Sequence, residues 1–148
     1  MSDFELKIYK SVCQYKAFFD FLSSDLKKGT GWMRIEGNLK YVSCGEYGCW
    51  GVNKQGNIYF RMGVSPTTPS GTQWAVIPGQ LDMVESGPSG LTIGVSPDQK
   101  VMFRTGVSPQ KPEGTQWANL DLDFAHVTVG RAGIIGILSD GTVAIYQG

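Results

Sequence analysis

Gly71-Thr72-Gln73-Trp74 is the stretch that decides the fold, because two close relatives of it occur in the same chain. They are Gly29-Thr30-Gly31-Trp32 and Gly114-Thr115-Gln116-Trp117, so the three tryptophans stand 42 and 43 residues apart. A period of about 40 residues, with glycines and aromatic residues at matching offsets, is typical of stacked repeat proteins. Each repeat in such a protein must bury its apolar face against a neighbour.

The period divides the chain into three repeats, which span 29–70, 71–113 and 114–148. Each repeat predicts four short strands. In the first repeat they lie near Trp32 to Glu36, Lys40 to Cys44, Cys49 to Asn53 and Asn57 to Met62. Four-stranded antiparallel units at this spacing indicate an all-β fold, the β-propeller, with one blade per repeat.

Turn signals separate the predicted strands. Asp140-Gly141 stands between two apolar runs, which is a strong hairpin signal, and Gln55-Gly56 is its counterpart in the first repeat. The run between Arg61 and Gly71 contains two prolines and is predicted to be a surface loop.

Residues 1–28 differ from the repeats and admit two interpretations. Several apolar residues between Val12 and Leu26 fall at helical spacing, which favours an amphipathic helix. Phe18, however, stands fourteen residues before Trp32, as Phe60 does before Trp74. On that count the segment is a degenerate half-repeat that serves in closure or dimerisation.

Composition and charge exclude several classes of protein. Apolar residues make up 41% of the chain, which is a globular composition. Thirteen basic residues balance thirteen acidic ones, so we expect no binding of nucleic acid or of an anionic membrane surface. No apolar run approaches the length of a membrane-spanning helix, so no membrane insertion is expected. The N-terminus lacks a signal-peptide pattern, so we expect the protein to be cytoplasmic as encoded. The alternative is a protein that is released or associated with the cell surface.

Three cysteines, Cys13, Cys44 and Cys49, form a poor disulfide framework because their number is odd. We expect small buried thiols, with a Cys44–Cys49 bridge as the alternative. One histidine and no Cys-x-x-Cys pair predict no metal site and no cofactor.

Four short motifs recur in one order, and together they resemble the tectonin repeat. In the first repeat they are Trp-x-x-Ile-x-Gly-x-Leu from Trp32, Gly-x-Trp-Gly-Val-Asn from Gly48, Ile-Tyr-x-Arg-x-Gly-Val-Ser-Pro from Ile58, and Gly-Thr-x-Trp from Gly71. The resemblance covers about 29–148 and is weaker in the later repeats, where Thr92-Ile93 replaces the second tryptophan motif. It implies a β-propeller lectin that binds bacterial lipopolysaccharide or O-methylated glycans.

Three repeats are too few for a closed ring, since propellers have roughly four to eight blades. Either residues 1–28 complete a four-blade ring, or two chains each supply half of a larger one. We expect the homodimer, because two-fold assembly is the commonest way to satisfy identical half-rings.

The recurring residues are the candidate ligand-binding groups. Trp32, Trp74 and Trp117 could stack on sugar rings, or they could pack between blades. Arg61 and Arg104 could hold sugar hydroxyls, or they could cap loop carbonyls.

Four further positions are candidates for sugar contacts. Asn53 and Tyr59 lie on neighbouring predicted strands, although Asn53 also suits a turn. Val64 and Val107 lie in the repeated Gly-Val-Ser-Pro loops, where a small apolar niche could accept a methyl group.

No arrangement of residues suggests catalysis. His126 has no counterpart in the other repeats, and Asp121 and Asp123 suit solvated loop acids. We therefore expect a non-enzymatic protein whose partners are cell-surface glycans, bound through repeated weak sites. The alternative is a scaffold propeller that presents its loops to another protein.

Overall fold

The computed structural model describes residues 33–131 and 133–146. The chain divides into two compact units, Met1–Glu36 and Gly37–Gly148, and every strand in the described ranges belongs to the second. The expectations for 1–28 and for Trp32 lie outside the described residues.

Three antiparallel sheets follow one another along the chain. Sheet 1 contains β1 (Tyr41–Gly45), β2 (Gly48–Val52), β3 (Asn57–Arg61) and β4 (Trp74–Gln80) in that order. Sheet 2 contains β5 (Met83–Ser86), β6 (Thr92–Val95), β7 (Lys100–Arg104) and β8 (Trp117–Asp123). Sheet 3 contains β9 (His126–Gly130), β10 (Gly133–Ile137) and β11 (Val143–Tyr146). The all-β architecture of blade-like sheets is confirmed.

The sheets are offset by one strand from the sequence repeats. Three strands expected in the first repeat agree with β1, β2 and β3 to within one residue. The strand expected near Trp32 to Glu36 was wrong for its described part, since 33–36 contains no strand. Sheet 1 is instead completed by β4, the tryptophan strand of the second repeat, because β3 turns back through the loop at 62–73 and pairs Arg61 with Trp74.

Turns form where the glycines predicted them. Gly141 has a φ of 87° in the turn between β10 and β11, and the Thr142 amide donates to the Asp140 carboxylate at 2.9 Å. Gly56 has a φ of 83° in the turn between β2 and β3. Both conformations are accessible to glycine at little cost. The run from Met62 to Gln73 is a loop, as its prolines predicted.

Successive sheets pack face to face through two apolar cores. We call the face of a sheet that packs on the following sheet its leading face, and the opposite one its trailing face. The leading face of sheet 1 bears Trp50, Val52, Ile58 and Phe60, which pack with Leu81 in the connection to sheet 2 and with Val84 in sheet 2. A second core joins the leading face of sheet 2, through Ile93, Val95 and Val101, to Phe124, Val127 and Ile134. Burial of each large side chain contributes roughly 1.5–3 kcal/mol, so these cores hold adjacent sheets together.

Hydrogen bonds also join the first strands of sheets 1 and 2. The Tyr41 hydroxyl donates to the Glu85 carboxylate at 2.5 Å, and the Ser43 hydroxyl donates to the same group at 3.2 Å. Burial, and then the hydrogen bond to Glu85, raises the pKa of Tyr41 to about 12. Tyr41 therefore remains a neutral donor at physiological pH and keeps β1 bound to β5.

Cys44 and Cys49 form a disulfide. They face each other directly in the β1–β2 register, and Cys44 is exposed while Cys49 is half-buried. The expectation of small buried thiols at these two positions was wrong. The antiparallel pairing places the two side chains on one face of the hairpin, and the interval of five residues in sequence is what a tight hairpin needs for such a pair.

Candidate functional site

Arginine and tryptophan form a cross-strand pair in each of the two four-stranded sheets. Arg61 ends β3 opposite Trp74, and Arg104 ends β7 opposite Trp117. The guanidinium carbon lies 5.3 Å from the Trp74 ring centroid and 5.2 Å from the Trp117 ring centroid. These distances are within the range of a cation–π interaction. Each arginine and its tryptophan, which the sequence analysis treated as separate candidates, therefore form one structural unit.

Each arginine also binds the loop that follows its strand. Arg61 Nε donates to the carbonyl of Ser70 at 2.7 Å, and Arg104 Nε donates to the carbonyl of Glu113 at 2.8 Å. The two arginines are only 3% and 4% exposed. Burial lowers the pKa of Arg104, and the nearby Glu113 carboxylate opposes that shift. Both arginines thus cap loop carbonyls, which was the alternative to sugar binding. Direct contact of either guanidinium with a sugar remains a prediction.

Arg104 and Trp117 lie at the junction between sheets 1 and 2. The Arg104 guanidinium carbon is 5.7 Å from the Trp50 ring centroid, and the Trp50 and Trp117 rings meet edge to face at 5.7 Å. Arg104 therefore packs between two indoles that belong to different sheets. Trp117 Nε1 is buried and makes no hydrogen bond within the described part of the chain. Trp117 is therefore positioned as expected for a tryptophan that packs between blades.

The two Gly-Val-Ser-Pro loops have the same conformation. Ser65 pairs with Thr68 in the first loop, and Ser108 pairs with Lys111 in the second. Val64 packs over Gly71, where an added Cβ would lie 3.0 Å from a valine methyl. Val107 packs over Gly114 in the same way, at 2.9 Å. Because the arginines bind the far ends of these loops, they hold both valines in place.

Val107 faces a tyrosine of the neighbouring sheet across Gly90. A Cβ added to Gly90 would lie 2.6 Å from the Tyr47 ring and 2.8 Å from a Val107 methyl. Tyr47 lies in the β1–β2 turn of sheet 1, whereas Gly90 and Val107 lie in connections between the strands of sheet 2, β5–β6 and β7–β8 respectively. The Glu46 carboxylate accepts a hydrogen bond from the Ser89 amide at 2.6 Å, which fixes the turn on sheet 2. We call the surface formed by Glu46, Tyr47, Gly90 and Val107 the junction surface.

The junction surface combines groups that suit a sugar. Tyr47 and Val107 are half-buried, so both residues are partly accessible to solvent. The exposed Glu46 adds a hydrogen-bond acceptor. Sequence reasoning found Val107 but missed Tyr47 and Glu46, because neither has a counterpart at the same offset in the other repeats.

Asn53 and Tyr59 lie away from this surface. The Asn53 side-chain oxygen accepts hydrogen bonds from the amides of Gln55 and Asn57 at 3.0 and 2.9 Å. Its amide nitrogen donates to the Tyr59 hydroxyl at 3.3 Å. Asn53 thus shapes the β2–β3 turn, at the opposite end of the strands from the Val64 loop. A sugar contact at either residue stays a prediction.

The disulfide joins the two strands that flank Glu46 and Tyr47. Reducing it is expected to lower the free energy of unfolding by about 2 kcal/mol, because the bridge restricts a short loop in the unfolded chain. Urea titrations with and without reductant would measure the difference. The Cys44→Ser/Cys49→Ser double variant is the control, and its unfolding midpoint should not respond to reductant. Equal midpoints for the oxidised and reduced wild-type protein would contradict this expectation.

Asp123 and His126, which were considered for catalysis, have different partners in the fold. Asp123 pairs with Lys100 at 2.6 Å, whereas the His126 ring lies edge to face with Tyr41 at a centroid distance of 6.3 Å. Within 33–131 and 133–146, no three His, Cys, Asp or Glu side chains are placed to hold a metal ion. Over the same residues, no helix has the length and apolar character needed to span a bilayer.

Comparison with known proteins agrees with this architecture. Residues 18–125 match the model of the Tectonin domain family. The chain is 44% identical to the fish-egg lectin of Cyprinus carpio over 68 residues, which is 45% of this chain and 29% of the carp protein. It is 33% identical over 61 residues to the tectonin beta-propeller repeat-containing protein 1 of Mus musculus, which is 41% of this chain and 5% of the mouse protein.

The chain thus spans less than a third of either relative. The family model, in contrast, matches more than half of the chain, and the match includes sheets 1 and 2. The chain belongs to the tectonin family of β-propeller proteins.

Proposed function

We propose that this chain is a non-enzymatic lectin that binds cell-surface glycans at the junctions between its sheets. The observation that carries the proposal is the junction surface, where Tyr47 and Val107 from adjacent sheets meet at Gly90 beside Glu46. An aromatic ring can stack on the apolar face of a sugar. The similarity to a protein named fish-egg lectin supports the same class of ligand.

The ligands we propose are glycans of bacterial lipopolysaccharide or O-methylated sugars, in keeping with a role in innate defence. The methyl groups of Val107 would contact the apolar substituent, and Glu46 would accept hydrogen bonds from hydroxyl groups. The Arg104–Trp117 pair supports the site by holding the loop. Trp32, Trp74 and Val64 would serve equivalent sites in further junctions.

Repeated weak sites would act together on a surface that displays many copies of a glycan. Linked sites gain avidity of about 10²–10⁴ when the geometry allows simultaneous binding. We propose that a homodimer supplies this geometry. The exposed disulfide favours an oxidising compartment, so of the two locations considered we propose the released or surface-associated one.

Changing Tyr47 to alanine is expected to weaken glycan binding about tenfold, which corresponds to about 1.4 kcal/mol. The loss follows from removal of the stacking ring at the junction surface. Titration with the best ligand from a glycan array would measure it. Tyr47→Phe retains the ring and serves as the control, with affinity close to that of the wild type.

Two results would contradict the proposal. One is wild-type affinity in Tyr47→Ala with an intact fold. The other is absence of binding to every glycan and bacterial surface tested, which would favour the scaffold alternative.

A further inference from the structure

The leading face of sheet 3 exposes apolar side chains to solvent. Ile135, Ile137, Val143 and Ile145 are 42%, 40%, 67% and 51% exposed. Their counterparts in sheet 1 are Trp50, Val52, Ile58 and Phe60, and none of these is more than 1% exposed. The sequence has therefore kept apolar residues at positions that are buried wherever another sheet follows. Four adjacent apolar side chains of this kind mark an interaction surface.

The trailing face of sheet 1 also exposes an apolar side chain where a preceding sheet would pack. Val42 is 59% exposed, whereas its counterparts Val84 and Val127 in sheets 2 and 3 are 0% exposed. Val76, on the same face, is 71% exposed, but its counterpart Asn119 is also exposed although sheet 1 packs beside it. Of these two valines, Val42 is thus the one that a preceding sheet would cover. The chain carries both halves of one more junction.

Within the described residues, sheet 3 also has one strand fewer than its neighbours. In sheet 1 the fourth strand includes Gly79, whose backbone lies against the indole of Trp117, with an added Cβ 3.2 Å from the ring. Gly37 lies against the indole of Trp74 in the same way, at 3.1 Å. The backbone at Gly37 therefore has the position of a fourth strand in a sheet that precedes sheet 1.

That preceding sheet cannot be sheet 3 of the same chain. Only two residues, 81–82, separate β4 from β5, and two residues, 124–125, separate β8 from β9. A fourth strand is thus followed at once by the first strand of the adjacent sheet. If the segment around Gly37 completed the chain's own sheet 3, three sheets would form a closed ring, which is below the roughly four blades that a propeller needs.

We propose that a second copy of this chain completes the fold, with the segment around Gly37 of each copy forming the fourth strand of sheet 3 of the other. The trailing face of sheet 1, at Val42, then covers the leading face of sheet 3, at Ile137. Two chains give a six-sheet ring with two identical heterologous contacts, related by two-fold symmetry. This inference specifies the homodimer of the proposed function, but its test requires no sugar.

The molar mass in solution tests the contact. At micromolar concentration the wild-type protein is expected to have twice the 16.1 kDa mass of one chain. Val42→Asp and Ile137→Asp, which place a charge in the junction, should each reduce the mass to that of one chain. Val76→Asp is the matched control because its position stays exposed at a formed junction, and it should remain a dimer. Circular dichroism of each variant would show that its strands are retained.

Mixing the two disruptive variants tests the head-to-tail geometry. A heterodimer of Val42→Asp with Ile137→Asp contains one junction without any substitution and one with both, so the mixture should regain dimer. Three results would overturn the proposal: a monomeric wild type, dimers of undiminished mass in both aspartate variants, or no recovery in the mixture. A failure of glycan binding would leave these masses unchanged, so the two proposals can fail separately.

Discussion

Replacing Trp50 with alanine is expected to lower the free energy of unfolding by about 4 kcal/mol, the loss typical of a large aromatic side chain removed from a core. Trp50 is 1% exposed and lies 5.0 Å from the Phe60 ring centroid and 5.7 Å from that of Trp117. The substitution would thus open a cavity in the junction between sheets 1 and 2. Chemical denaturation monitored by circular dichroism would measure the loss.

Val76→Ala is the control for this experiment. Val76 is 71% exposed, so its truncation should change the free energy of unfolding by less than about 0.5 kcal/mol. A Trp50→Ala variant as stable as this control would show that the first two sheets do not pack through that side chain.

Replacing Arg104 with methionine is expected to cost about 3 kcal/mol of stability. The change removes the hydrogen bond to the Glu113 carbonyl, and bonds from charged donors are worth about 1.5–3 kcal/mol. It also removes the interactions with the Trp50 and Trp117 rings, while methionine keeps much of the apolar volume. Glycan binding should weaken as well, because the loop that carries Val107 would lose its anchor.

Arg104→Lys and Arg131→Met complete this series. Lysine keeps the charge but lacks the planar guanidinium and its Nε donor, so it should not restore stability. Arg131 is exposed, and its substitution should be nearly neutral. Full stability in Arg104→Lys would indicate that charge alone matters at this junction, contrary to the geometry described.

The sequence predicted the strands better than it predicted their grouping. The tryptophans are the most visible residues of the repeat and suggest a boundary there. Each tryptophan strand, however, pairs with the strand that precedes it in the chain. β3 and β4 are antiparallel neighbours across the loop at 62–73, so Trp74 belongs to the sheet of Arg61. The same pairing explains why Arg61 and Trp74 meet. Counting outward from the loop could have predicted both results.

Other features lay beyond what repeat analysis detects. Tyr47 stands where the other repeats have Ser89 and the turn before Gly133, so comparison of the repeats gave it no weight. The Cys44–Cys49 bridge depends on the cross-strand register, which the odd cysteine count obscured. In contrast, the number of repeats alone indicated that three blades are too few for a closed ring. The exposure of Val42 and Ile137 identifies the two sheet faces that remain uncovered.

A crystal structure of the protein with a bound O-methylated monosaccharide would test the central claim most directly. The account predicts sugar density at the junction of sheets 1 and 2, against the Tyr47 ring and the Val107 methyl groups. Density confined to the β2–β3 turn at Asn53, or to a surface within a single sheet, would contradict it.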